Sequence, residues 1–286
     1  MIVVTGATGA LNGATVEHLL KRMPAEQIGI SVRDTAKAQH FADRGVRVRQ
    51  GSYEDPAALQ HSFEGAEQVL LVSSNDPHTD AVALHRVGID AAVAASARRI
   101  LYTSHQGAGA DSPFHPARDH AATEQLLANS GVAWTALRNG FYAHSLGWLL
   151  GDWQQSGTIT APADGPVSWT DRADAAEAAA VILTGERAFD GPVTLSARQA
   201  VTFDDVAAQA SKITGRKVER IVLDDEAWIA AKVAAGTPEA MARMTLTTFE
   251  AAREGRFAAV DPQLGELLGR EPRTVADQLA ADLDAA

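Results

Sequence analysis

Between residues 2 and 137, apolar positions alternate between a period of two and a period of about 3.6. This pattern predicts strands and helices in turn. Ile2-Val3-Val4-Thr5 is a short β-branched run that ends in Gly6-Ala7-Thr8-Gly9. A helical period runs from about Ala10 to Met23, with Val16, Leu19 and Leu20 on one face. Ile28 to Val32 reads as a second strand, and Asp34 to Ala42 as a helix with Asp34 at its N-cap. Val46 and Val48 mark a third strand. Asp55 to Phe63 is helical, with Pro56 at the first position, where a missing N–H costs nothing. Val69-Leu70-Leu71-Val72 is apolar throughout, as a strand buried on both faces requires. A long helix over His78 to Ala97, a strand over Arg99 to Ser104, a helix over Ala117 to Asn129 and a strand over Val132 to Leu137 follow.

Six strands alternating with five helices predict an α/β fold of the Rossmann type, a doubly wound parallel sheet covered on both faces. After about residue 140 the rhythm changes. Residues 151–165 are rich in Gly, Thr and Pro, Asp171 to Leu183 is an Ala-rich helix, and Val193 to Leu195 is a short strand. Phe203 to Thr214 is a helix ended by Gly215, Val218 to Leu223 is a strand, and helices start near Asp225, Thr237 and Thr274. The expected division is a dinucleotide-binding domain over 1–145 and a smaller α+β substrate lobe over 146–286. The boundary is soft, and segments of the second part are free to return to the main sheet.

Composition narrows the partners. Lys+Arg 25 against Asp+Glu 36 leaves −11 at pH 7, a field that repels nucleic acid, and no basic patch offsets it. No apolar run reaches the ~18 residues of a membrane span, so no membrane partner is expected. The start Met1-Ile2-Val3-Val4 has no basic n-region, which predicts a cytoplasmic chain without a signal peptide. Cys 0 excludes disulfides and thiolate metal sites. His105, His115 and His144 have no spacing that forms a metal template, so no metal is expected. The sequence leaves the oligomeric state open, a homo-oligomer included.

A strand, then Gly6-Ala7-Thr8-Gly9-Ala10-Leu11, then a helix is the arrangement that holds a dinucleotide pyrophosphate. Gly6 permits the tight turn, and Gly9 lets the backbone approach the phosphates. A third glycine belongs at residue 12, but Asn12 stands there and the glycine comes at Gly13. Asn12 would push the helix outward, donate to the cofactor, or mark a degraded site. In Val32-Arg33-Asp34-Thr35-Ala36-Lys37, Arg33 suits a 2′-phosphate and Lys37 adds charge, which favours NADPH. Asp34 on the ribose would favour NADH, which stays open as the alternative.

Further segments carry a family resemblance. They are Thr5 to Gly9, Val32-Arg33-Asp34 with Ala36-Lys37-Ala38, Leu71-Val72-Ser73-Ser74 and Tyr102-Thr103-Ser104. His120 to Glu124, Leu137 to Tyr142, Thr202 to Asp205 and Thr214 to Val218 extend the match over nearly the whole chain. The chain resembles the NmrA-like, atypical short-chain dehydrogenase/reductases, nearest the bacterial NADPH:quinone oxidoreductases and triphenylmethane reductases. The resemblance implies that Gly6, Ala7, Thr8, Gly9, Ala10 and Leu11 hold the pyrophosphate, and Arg33 the 2′-phosphate. It implies that Ser73, Ser74 and Asn75 line the ribose side, with Thr103 and Ser104 under the nicotinamide. Leu137, Arg138, Asn139, Gly140, Phe141 and Tyr142 would pass beside its carboxamide.

Ordinary members of the wider superfamily use a Tyr-x-x-x-Lys pair, which this chain lacks. His120 and Glu124 hold that spacing instead. Relatives with this departure pass hydride directly to acceptors with strong electron demand, such as quinones and cationic dyes. His120 is the candidate acid, because an imidazole titrates near neutrality, and Tyr102 and Tyr142 are alternative donors. Phe141, Tyr142 and Trp148, with Trp153 and Trp169 nearby in sequence, suggest flat walls for a planar small-molecule acceptor. The competing expectations are a dinucleotide-binding regulatory or redox-sensor protein without turnover, and a sugar-nucleotide or carbonyl-modifying dehydrogenase.

Overall fold

The structure, a computed structural model, describes residues 1–74, 76 and 78–284. Its strands are β1 (Ile2–Thr5), β2 (Ile28–Val32), β3 (Arg47–Gln50), β4 (Gln68–Leu71), β5 (Arg99–His105), β6 (Ala133–Asn139), β7 (Thr158–Pro162), β8 (Gly191–Leu195) and β9 (Glu219–Leu223). Seven form one parallel sheet in the order β3-β2-β1-β4-β5-β6-β8, while β7 and β9 pair separately. The chain winds outward from β1 in both directions, so a topological switch point lies between β1 and β4, where open α/β sheets bind ligands.

Helices α1 (Ala10–Leu19), α2 (Gln39–Ala42), α3 (Pro56–Phe63), α4 (Ala81–Ala94) and α5 (His115–Ala128) connect the first six strands. The short α6 (Leu146–Leu149) and α7 (Trp153–Ser156) follow, then α8 (Arg172–Thr184), α9 (Phe203–Thr214) and α10 (Asp225–Ala234). The last helices are α11 (Glu239–Arg253), α12 (Gln263–Leu268) and α13 (Val275–Asp284).

Strand residues alternate between two cores, as a pleated sheet covered on both faces requires. Ile2, Val4, Leu70, Leu101 and Leu137 meet Val16 and Leu19 of α1 and Ala179 and Leu183 of α8. Val3, Val69, Leu71, Ile100 and Tyr102 meet Leu59 and Phe63 of α3, Ile89 of α4 and Leu127 of α5. A third core, centred on Trp153, Trp169, Phe203, Trp228 and Phe249, holds the later helices and the β7–β9 pair.

Several boundaries differ from the sequence pattern. Asp34 caps no long helix: its Oδ1 accepts from Ala36 N at 3.0 Å, and a 3₁₀ turn over Ala36–Ala38 precedes the four-residue α2. The helix expected over 78–97 starts later, because Asp80 caps it by accepting from Ala83 N at 2.9 Å. The Gly- and Pro-rich stretch contains β7, and α12 has no counterpart in the periodicity reading. Segments beyond residue 145 do return to the main sheet: β8 pairs with β6, and α8 and Leu264 of α12 join the core beneath α1.

Asn12 does not displace α1. It is buried and its Nδ2 donates to the Thr5 carbonyl at 2.8 Å, tying the helix to the strand before the turn. Close approach is provided one residue later, where a Cβ on Gly13 would stand 2.9 Å from the Ala7 oxygen. Asn12→Gly removes the bond and puts a glycine inside a helix, so it is expected to cost about 1–2.5 kcal/mol. A lower urea midpoint at unchanged m-value checks this on the protein without cofactor, and an unchanged or higher midpoint overturns it.

Candidate active site

The turn after β1 is built for a ligand that brings acceptor oxygens. Gly6 has φ +63°, and a Cβ there would meet Val72 Cγ1 at 2.7 Å, so only glycine fits. Gly9 stands at the N-cap of α1 and offers no side chain to its amides. Ala10, Leu11 and Asn12 N–H find no backbone or side-chain acceptor among the described residues. By contrast, Asp55, Asp80, Asp171, Thr202 and Asp224 cap α3, α4, α8, α9 and α10 with their own oxygens. Free amides and the positive end of the helix dipole make the α1 terminus a phosphate cradle.

A cleft of about 830 Å³ opens over the carboxyl ends of β1, β2, β4 and β5 and continues past β6. Of the residues named from sequence, Gly6, Thr8, Gly9, Ala10, Leu11, Arg33, Ser73, Ser74, Thr103 and Tyr142 line it. Arg33 is exposed, and its guanidinium has no hydrogen-bond or ion-pair partner among the described residues. An arginine left free at this strand end fits the 2′-phosphate of NADPH, so the cleft matches the cofactor at both its phosphate positions.

Other expected residues lie elsewhere. Ala7 is buried beneath the turn, and Lys37 is exposed outside the cleft lining. Leu137 points into the core under α8, because its strand position faces that layer. Ser104 and Arg138 are held by Glu124: Ser104 Oγ donates to Oε1 at 2.6 Å, and Arg138 Nε donates to the same oxygen at 2.9 Å. Asn139 Nδ2 donates to the Tyr142 hydroxyl at 3.0 Å. Gly140 packs so tightly on Thr170 that a Cβ would overlap its hydroxyl at 2.1 Å. Phe141 packs edge-on against Trp169 at 5.2 Å and is not in the cleft wall. Trp148 is 52% exposed and also lies outside that wall. Asn75 falls outside the described residues.

Sequence reasoning missed Tyr53, His85 and Arg172, whereas His144, named there for its spacing, lines the cleft. Tyr53 hydroxyl donates to the Val72 carbonyl at 2.7 Å and lies 3.2 Å from Thr5 Oγ1, which itself accepts from Val72 N at 2.8 Å. These bonds fix the edges of β1 and β4 around the switch point. Thr103 Oγ1 accepts from Ser73 N at 2.8 Å.

Behind Ser74 runs a chain of neutral imidazoles. Ser74 N donates to His85 Nε2 at 2.8 Å, so the His85 hydrogen sits on Nδ1 and goes to Thr123 Oγ1, also at 2.8 Å. Thr123 passes its own hydrogen to the Asp119 carbonyl. With His85 Nδ1 protonated, the Tyr102 hydroxyl gives its hydrogen to His120 Nδ1, 2.8 Å away, and His120 keeps its hydrogen on Nε2. Burial drives His85 and His105 down to about 4. Burial, followed by the neighbouring His105 and His85, holds His120 well below its ordinary value. Burial pushes Tyr102 well above its own and Tyr142 up to about 12. The site therefore carries neutral rings and protonated phenols near pH 7.

A histidine kept neutral in the fold stabilises it above the unfolded pKa near 6.5 and loses that stability as pH falls towards 4. Unfolding free energy should fall by on the order of 1.4 kcal/mol per pH unit for each such imidazole in this window. In NMR titrations the His85, His105 and His120 ring protons should stay unshifted between pH 7.5 and about pH 5, and a midpoint near 6.5 for any of them would overturn that ring's assignment.

A glycine turn opening α1 over the switch point of a doubly wound parallel sheet, with a free arginine after β2, defines a dinucleotide-binding protein of the Rossmann type. The chain belongs to the NmrA-like family, whose sequence profile matches residues 1–276. It is 36% identical over 282 residues to quinone oxidoreductase 2 of Escherichia coli strain K12, spanning 98% of each chain. The fold matches an NADPH-dependent quinone oxidoreductase from Escherichia coli, complexed with NADPH, with a TM-score of 0.92 and 35% identity over 99% of this chain and 100% of that one. It matches the Citrobacter sp. triphenylmethane reductase complexed with NADP(H) with a TM-score of 0.89 and 33% identity over 98% and 99%.

Proposed function

We infer that this chain is an NADPH-dependent reductase that passes hydride directly to a quinone or a similar planar electrophile. The observation that carries the cofactor choice is Arg33, unpaired among the described residues and lining the same cleft as the uncapped amides of α1. When bound, NADPH supplies the hydride and both electrons, and the reduced acceptor takes its proton from solvent. Gly6 to Leu11 hold the pyrophosphate, Ser73 and Ser74 border the ribose, and Thr103 and Tyr142 border the nicotinamide. The similarity to a quinone oxidoreductase and a triphenylmethane reductase supports the acceptor class.

Direct transfer follows from what the nearby groups cannot do. Glu124 is committed to Arg138 and Ser104, which leaves it no role as an acid. His120 is neutral, with Nδ1 accepting from Tyr102, so its remaining Nε2–H is a hydrogen-bond donor and a very weak acid. Tyr102 holds its proton above the ordinary phenol range. Carbonyl compounds, whose alkoxides need a proton during the step, are therefore poorer acceptors than quinones.

NADPH consumption against a panel of quinones, cationic dyes and carbonyls tests the reading. Turnover with quinones and dyes is expected, whereas tight NADPH binding with no turnover would favour a sensor. Arg33→Ala should raise the NADPH dissociation constant about 10- to 150-fold, the loss of one charge-assisted contact, and leave NADH nearly unchanged. Equal losses for both cofactors would make Arg33 structural. His120→Ala should lower quinone turnover by less than about tenfold, against the roughly 10²- to 10⁴-fold of a lost general acid. A hundredfold loss with cofactor affinity retained would make His120 the acid and overturn direct transfer.

A further inference from the structure

The cleft holds a second arginine, and it too lacks a carboxylate partner among the described residues. Arg172 is half-buried in the cleft wall at the first position of α8. Its neighbour Asp171 is committed elsewhere: Oδ1 accepts from Ala173 N at 2.9 Å, Asp174 N at 3.0 Å and Arg273 Nη1 at 2.9 Å. Asp174, fully buried, is held by Arg270, by Arg273 Nη1 and by Arg273 N. Among the described residues the one polar contact of the Arg172 side chain is His144 Nε2, 3.3 Å from Nη1. A guanidinium does not give up its proton, so it donates to a neutral ring and its remaining N–H groups stay unpaired.

Hydrogen bonds tie the start of α8 to the exit of β6. Thr170 N donates to the Phe141 carbonyl at 2.7 Å, and Ala143 N donates to the Thr170 carbonyl at 2.9 Å. The glycine turn follows β1, three strands away in the order β1-β4-β5-β6, or about 14 Å at ~4.8 Å per strand. Arg172 thus stands with Tyr142 and His144, at the end of the cleft remote from Arg33.

We propose that Arg172, supported by His144, recognises an acid group on the electron acceptor, so that planar acceptors bearing a carboxylate or sulfonate are preferred over neutral analogues. The proposal rests on the reductase reading and names its acceptor class. A planar, partly desolvated guanidinium with free N–H groups suits such an anion in a forked, two-bond geometry. The acceptor is held by its charged edge, and its electrophilic ring is left towards Thr103 and Tyr142.

The test compares 1,2-naphthoquinone-4-sulfonate with 1,2-naphthoquinone in the NADPH-loaded wild type, Arg172→Gln and Arg172→Lys. Calorimetric titration of the NADP⁺ complex with 2-naphthalenesulfonate runs beside it. Arg172→Gln should lower kcat/KM for the sulfonate about 10- to 150-fold, through KM, and change the neutral quinone by less than about threefold. Arg172→Lys should recover part of the loss, and naphthalenesulfonate affinity should follow the same order. Equal losses on both quinones, no loss on either, or a weaker NADPH dissociation constant in Arg172→Gln would overturn the proposal, the last assigning Arg172 to the cofactor phosphates. Naphthalenesulfonate binding through Arg172 without turnover of any quinone would sink the reductase reading alone. Turnover of both quinones, with no Arg172 effect, would sink this proposal alone.

Discussion

The uncapped amino end of α1 is the constraint around which the rest of the structure is arranged. A helix terminus with unpaired amides is unfavourable unless water or a ligand accepts from them, and α3, α4, α8, α9 and α10 meet the need with their own side chains. At α1 the turn is all glycine and small residues, and its path is enforced from both sides. Val72 presses on Gly6, the Ala7 carbonyl presses on Gly13, and Asn12 holds the helix to the Thr5 carbonyl. The cradle is thus rigid before any phosphate arrives, which lowers the ordering cost of binding.

Charge is distributed along the cleft with the same economy. In a chain carrying −11 overall, two arginines of the cleft wall meet no carboxylate among the described residues, one after β2 and one at the head of α8. The cleft wall also carries threonines, serines and the phenols of Tyr53 and Tyr142, which burial keeps protonated, with Glu54 and Asp76 as its carboxylates. Glu124, buried behind β5, is bonded to Arg138 and Ser104.

The two ends are held by different means. The cofactor end depends on local chain geometry, a turn and a strand terminus. The end at Arg172 depends on long-range ties: the exit of β6 to the Thr170 bridge, the start of α8 to the 270–273 segment through Asp174, and α8 against α1 in a common core. Positions in the second half of the chain thereby set geometry at strand ends of the first.

The sequence by itself determined the alternation of strands and helices up to β6, the glycine turn, the arginine after β2 and the family resemblance. Each of these is written in neighbouring residues: periods of two and 3.6, glycines where φ is positive, a charge directly after a β-branched run. The tertiary structure alone decided the rest. It returned β8 and α8 to the main sheet, buried Leu137, spent Ser104 and Arg138 on Glu124, and moved Phe141 and Trp148 out of the cleft wall. It also made His120 a neutral donor by placing it against Tyr102 and His105, and left Arg172 without a counter-ion among the described residues. The physical reason is that hydrogen-bond partners, burial and pKa depend on which distant segments meet, such as His85 with Thr123 or Arg273 with Asp174, and no local pattern encodes that meeting.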